Sequence, residues 1–70
     1  MKMRYDKKQD ALYIDLAIGN YEKSKKITDS IIVDIAKDGA VLGIEILDAT
    51  ENIKYFDPAH FKVNFQVSST

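Results

Sequence analysis

The segment "IIVDIAKDGAVLGIEIL", residues 31 to 47, constrains this chain more than any other, because two β-branched runs flank a central Asp38-Gly39 pair. With that pair as a two-residue turn, Lys37 lies across from Ala40, Ile35 from Leu42, Val33 from Ile44 and Ile31 from Ile46. Six aliphatic side chains then share one face, while Asp34 lies opposite Gly43 and Ile32 opposite Glu45. Sliding the strands by one residue would put Asp34 against Leu42 and scatter the aliphatic set over both faces, so one register is expected.

Period-two alternation continues on either side. In "ALYIDLAI" the residues Leu12, Ile14, Leu16 and Ile18 fall on one face and Tyr13, Asp15 and Ala17 on the other. Met1, Met3 and Tyr5 alternate with Lys2 and Arg4, and the polar stretch Asp6 to Asp10 is short enough to close a hairpin between these two strands. Gly19-Asn20 marks a turn into a polar strand from about Lys23 to Thr28 anchored by Ile27, and Asp29-Ser30 interrupts the alternation as a bulge would. Asp48 with Glu51 three residues on reads as a capping box, and Pro58 stops the element; a helix is expected over about residues 49–56. "FKVNFQV" alternates again, predicting a last strand over about 61–67, in its own sheet or a partner's, with Phe61, Val63, Phe65 and Val67 as candidate interface residues. The closing Ser68-Ser69-Thr70 is expected to fray.

The expected architecture is α+β: one domain over residues 1–70, a small antiparallel sheet (a meander of four to five strands) with one short helix in the C-terminal half packed on one face. Seventy residues bury a modest core, worth ~3–5 kcal/mol net unless something staples it. Cysteine is absent, which excludes disulfides and thiolate metal sites and favours a reducing compartment. The remaining staple is a second copy, so a homodimer or other homo-oligomer is expected.

The residues Tyr5, Asp6 and Asp10 to Leu16 ("YD…DALYIDL"), followed by "IIVDIAKDGAVLGIEILDAT", resemble the small bacterial and archaeal proteins grouped as Domain of Unknown Function 2283. The likeness covers about residues 1 to 50, and the stretch from 57 to 70 lies beyond it. It implies a compact antiparallel sheet with a short helix and a prokaryotic source. It carries no assigned reaction and no catalytic residues. Relatives standing beside small toxin-like proteins imply an antitoxin-like partner role.

The chemical motifs weigh toward binding rather than catalysis. Counted from Asp34, the sequence mimics a calcium loop, with Asp38 at the fifth position, Gly39 at the sixth, Val41 at the eighth and Glu45 at the twelfth. Ala36 removes the third-position ligand and the flanks are strand-like. An extended hairpin also spreads the oxygens over ~10 Å, where calcium needs six or more at ~2.5 Å. Asp34, Asp38 and Glu45 are therefore weak metal candidates, and no metal or other cofactor is expected. Asp34 and Glu45, on adjacent strands of the outer face, are near enough to form a carboxylate pair, the one feature an enzyme or ion-binding reading would use. His60 has no second histidine or cysteine to complete a zinc or nucleophile constellation, and Ser24, Thr28, Ser30 and Thr50 lack a base.

Tyr5, Tyr13, Tyr21 and Tyr55 interleave with lysines as a single-stranded nucleic-acid surface would. The net charge of −1, with "KSKK" (residues 23–26) as a local exception, argues against that partner. No apolar stretch approaches the ~20 residues of a membrane span, and the charged N-terminus lacks a secretory apolar region, so a cytoplasmic protein is expected. The leading expectation is a non-enzymatic protein–protein interaction module that self-associates. An antitoxin-like partner, a small enzyme or ion binder using the outer carboxylates, and a nucleic-acid binder are the alternatives.

Overall fold

The computed structural model describes residues 1–69, which leaves Thr70 of the expected frayed end outside the described residues. Five antiparallel strands form one sheet: β1 (Lys2–Asp6), β2 (Ala11–Asp15), β3 (Tyr21–Thr28), β4 (Ile31–Ala36) and β5 (Val41–Ile46). One short helix, α1 (Ala49–Asn52), follows. The spatial order is β1-β2-β5-β4-β3. The β1–β2 hairpin thus abuts the β3–β4–β5 meander through β2 and β5, and the connection after β2 carries the chain to the far edge.

The central hairpin keeps the expected register over Ile31↔Ile46, Ile32↔Glu45, Val33↔Ile44 and Asp34↔Gly43. Beyond Asp34 it departs, because Ile35 faces Val41 and Leu42 is the extra residue of a bulge. The turn is longer than the two residues expected. Ala36 N donates to Ala40 O at 2.9 Å, which leaves Lys37, Asp38 and Gly39 as the loop. Gly39 has φ +90 while Asp38 stays out of the left-handed region. A two-residue type I′ turn would need positive φ at both, so this turn requires glycine only at its last position. Asp38 Oδ1 accepts the Ala40 amide at 3.0 Å and fixes the bend.

Asp29-Ser30 is the β3–β4 turn rather than a bulge, held by Thr28 Oγ1, which accepts the Ser30 and Ile31 amides at 3.1 Å each. The bulges of β3 lie instead between Tyr21 and Lys23 and between Lys26 and Thr28.

The expected helix of residues 49–56 shortens to Ala49–Asn52, and the capping box does not form: Asp48 is left-handed (φ 48) and makes no side-chain cap. Asp10, far away in sequence, takes over. Its carbonyl accepts the Ala49 amide at 2.8 Å, and its carboxylate accepts Thr50 Oγ1 at 2.6 Å, Thr50 N at 3.2 Å and the Tyr5 hydroxyl at 2.7 Å. These bonds hold the Asp10 carboxyl below its usual range, Thr50 contributing most and Tyr5 next. Asp10→Ala should therefore release the helix from the β1–β2 hairpin and lower Tm by ~5 °C or more, the scale of a lost helix cap in a domain this small. A thermal melt followed by circular dichroism checks it, and an unchanged Tm would refute the clamp.

The helix and the aromatic turn after it lie over one end of the sheet's apolar face. Ile53 shares a cavity with Ile31 and Ile46, and the Phe56 ring meets Tyr5 edge-on at 5.5 Å. Residues 61–67 add no strand to the chain's own sheet among the described residues, the first of the two placements expected for them, and Phe61 meets the Phe56 ring at 4.9 Å. Among the described residues no helix is long and apolar enough to cross a membrane.

Candidate functional site

Alternation gives the sheet two faces with different chemistry. On the inner face Met3 pairs with Ile14, Ile14 with Ile44 and Ile44 with Val33, so an aliphatic row crosses four strands. Ile31, Ile35 and Ile46 extend it. None of these side chains is buried: the buried apolar residues are Ala11, Leu12, Ala36 and Ala49, and no large side chain is fully enclosed. A compact monomer of 7.9 kDa exposes about 4,400 Å², whereas this chain exposes 5814 Å². Its radius of gyration is 13.3 Å against about 11 Å for a compact chain of this length. The exposed trailing residues after α1 and the single-layer sheet both contribute to the excess.

The outer face is polar and internally bonded. Arg4 lies across from Tyr13 with its guanidinium 4.7 Å from the ring centroid, and forks onto Asp15 with Nε to Oδ2 at 2.8 Å and Nη2 to Oδ1 at 3.2 Å. That fork raises Arg4 and holds the Asp15 carboxyl below its usual range. From the other edge, the Tyr21 hydroxyl meets Ser24 Oγ at 2.7 Å, and Ser24 Oγ donates to Asp34 Oδ1 at 2.6 Å. Glu45 lies beside Asp34 on the neighbouring strand, so polar side chains run from β3 to β5.

Asp34, opposite Gly43, and Glu45, opposite Ile32, are thus near neighbours on adjacent strands. Partial burial, then the Asp34 charge, then the hydrogen bond to Asp34 push the Glu45 carboxyl above its ordinary range, opposed by Arg4. Burial and the neighbouring carboxylate both favour the neutral form of Glu45.

Because Glu45 binds its proton more tightly in the folded chain, its stabilising contribution is complete below the unfolded value near 4.5 and is lost as pH rises through the elevated folded value. Asp10 and Asp15 act in the opposite sense: their contribution is present above about 3.8 and is lost as pH falls through their lowered folded values. Glu45→Gln should therefore flatten the fall in stability on the weakly acidic side and leave the strongly acidic limb in place. Urea midpoints measured across pH test this, and a variant that keeps the full wild-type profile would show that Glu45 is not the titrating group.

The remaining candidates are dispersed. Asp38 is engaged at its turn, and among the described residues no group of three or more acidic, histidine or cysteine side chains is placed to hold a metal. His60 Nδ1 lies 2.9 Å from Asp57 Oδ2 on the exposed connection, away from the acid pair. The four tyrosines form no common surface: Tyr13 and Tyr21 both reach the outer face, from different strands, and the other two lie elsewhere. Tyr5 faces inward, Tyr13 lies under Arg4, Tyr21 bonds Ser24, and Tyr55 is 91% exposed beside Lys54. Phe61, Val63, Phe65 and Val67 are exposed, at 43%, 56%, 79% and 82%.

Leu42, displaced by its bulge, leaves the inner row and lines an open cleft of about 480 Å³ with Leu16, Ile18, Tyr21 and the carboxylates of Asp15 and Asp34. Gly43 sits between those two acids. A Cβ there would lie 3.0 Å from Ile14 O, so the glycine admits the neighbouring strand of its own sheet. Asp10 was the residue that sequence reasoning missed. Its role depends on a partner forty positions away, and only its place at the end of a hairpin loop hinted at it.

No curated protein and no solved structure matches the chain. The family model described as "Protein of unknown function (DUF2283)" matches residues 2–49, which span all five strands, and the chain belongs to that family.

Proposed function

We propose that the chain is a protein–protein interaction module that works by self-association, two copies covering each other's apolar sheet faces. The observation that carries this reading is the apolar wall of Met3, Ile14, Val33, Ile35 and Ile44, left half-buried on a single-layer sheet in which Leu12 is the largest buried apolar side chain among the described residues. The exposed surface exceeds that of a compact monomer by about 1,400 Å², part of it on the residues after α1, and a face-to-face contact of standard size would remove ~800 Å² from each partner.

Both sheet edges are poorer candidates for the main contact. β3 carries Lys23, Lys25 and Lys26 and two register shifts, features that blunt an edge against pairing with its own copy. β1 is only five residues long. Apolar sheets stack ~10 Å apart with interleaved side chains, and the aliphatic row here supplies such a surface.

Size-exclusion chromatography with light scattering over a micromolar concentration series tests the reading. The expected result is a dimer mass that gives way to monomer only on dilution. A monomer mass at high micromolar concentration would overturn it.

A further inference from the structure

Beyond the sheet face, residues 61–67 form a second element suited to association. Phe61, Val63, Phe65 and Val67 alternate with Lys62, Asn64 and Gln66 in an amphipathic strand pattern that pairs with no strand among the described residues. Resting on the self-association just described, we infer that this segment adds as a sixth strand to the β1 edge of a second copy, exchanged reciprocally between the two protomers.

Three observations select that edge and that partner. First, a strand laid against β1 sets its Phe and Val side chains beside Met3 and Tyr5 and so extends the apolar wall, whereas at β3 the same side chains would meet Lys23 and Lys25. Second, β1 pairs with β2 over five consecutive positions without a shift, so its free side presents an unbroken alternation of amides and carbonyls; β3 is twice bulged. Third, the segment departs at β1, through Phe61 on Phe56 and Phe56 on Tyr5. Its own β1 edge is within reach at that point, yet it leaves that edge unpaired, and exposure climbs from 43% at Phe61 to 82% at Val67. A two-fold axis that brings the two β1 edges together makes the exchange closed and self-complementary.

The test uses the full chain and its F65D/V67D variant. Both positions are about four-fifths exposed in the protomer, so the substitutions leave its fold intact, which an unchanged melt at dilute concentration verifies. The expected result is a self-association constant weakened at least tenfold, with amide hydrogen exchange in β1 and in 61–67 slowed in the wild-type dimer and fast after dilution to monomer. A wild-type chain that is monomeric throughout overturns the self-association reading and this inference together. A dimer whose affinity F65D/V67D does not change overturns the exchange alone, as does protection of 61–67 that persists in the diluted monomer, which would mean that the strand folds back on its own β1.

Discussion

Val33→Lys should convert the dimer into a monomer at concentrations where the wild-type chain is associated, weakening self-association by ~100-fold or more. Val33 sits at the middle of the inner wall, opposite Ile44 on one side and Lys25 on the other, and is only half-buried in the protomer. In a face-to-face pair it would be enclosed. A lysine there leaves an ammonium without a partner in an apolar contact, which costs several kcal/mol unless the sheets separate. In the isolated protomer the same lysine can extend into water, its stem lying along the sheet as those of Lys23 and Lys25 can, so the fold should survive. Light scattering reads the mass, and a circular dichroism spectrum unchanged from wild type shows that the sheet is retained. Val33→Thr, nearly the same size but uncharged, should keep a measurable dimer. A lysine variant that remains dimeric with wild-type affinity would place the contact elsewhere.

The parts of this fold legible in sequence are those in which neighbouring side chains must agree with one another. Val33 with Ile44 and Ile31 with Ile46 could be paired on paper because a one-residue slip ruins every aliphatic contact at once. Past Asp34 that constraint fades, and backbone geometry decides. Asp38-Gly39 reads equally as a two-residue turn or as the end of a three-residue one, and the longer loop forces Leu42 out of the wall and into the outer cleft. The helix failed in a different way. Asp48 and Glu51 have the spacing of a capping box, but Asp10 already supplies the acceptor for Thr50, and Asn52 Nδ2 turns back to the Leu47 and Asp48 carbonyls at 2.9 and 3.1 Å, so the helix ends after one turn.

The proximity of Asp34 and Glu45 follows from register, whereas the Ser24 hydrogen bond to Asp34 comes from β3, a strand with little apolar alternation to read. The alternation of 61–67 records an ability to pair, and the identity of the pairing edge lies outside the segment itself.

Gly43→Val should be the most damaging single change to the protomer, costing ~3 kcal/mol or more, comparable to the whole net stability of a domain this small. Gly43 is buried between β2 and β4, across from Asp15 and Asp34. The first added carbon would lie 3.0 Å from Ile14 O and 3.7 Å from Asp34 Oδ2, and the closer obstacle is backbone, which cannot rotate away as a side-chain tip would. Alanine already requires β2 and β5 to part by a few tenths of an ångström, at an expected cost of ~1–2 kcal/mol. Valine adds two methyls in the notch between Asp15 and Asp34, where they would press on Asp34 and disturb its bond to Ser24. Urea denaturation should give a graded series of wild type, alanine and valine, with valine largely unfolded even without denaturant. Because β2 and β5 join the β1–β2 hairpin to the β3–β4–β5 meander, forcing them apart breaks the strand seam between the two halves, so the loss should be cooperative. A valine variant that melts like wild type would mean that the seam is loose enough to admit a side chain, and the glycine would then need another explanation.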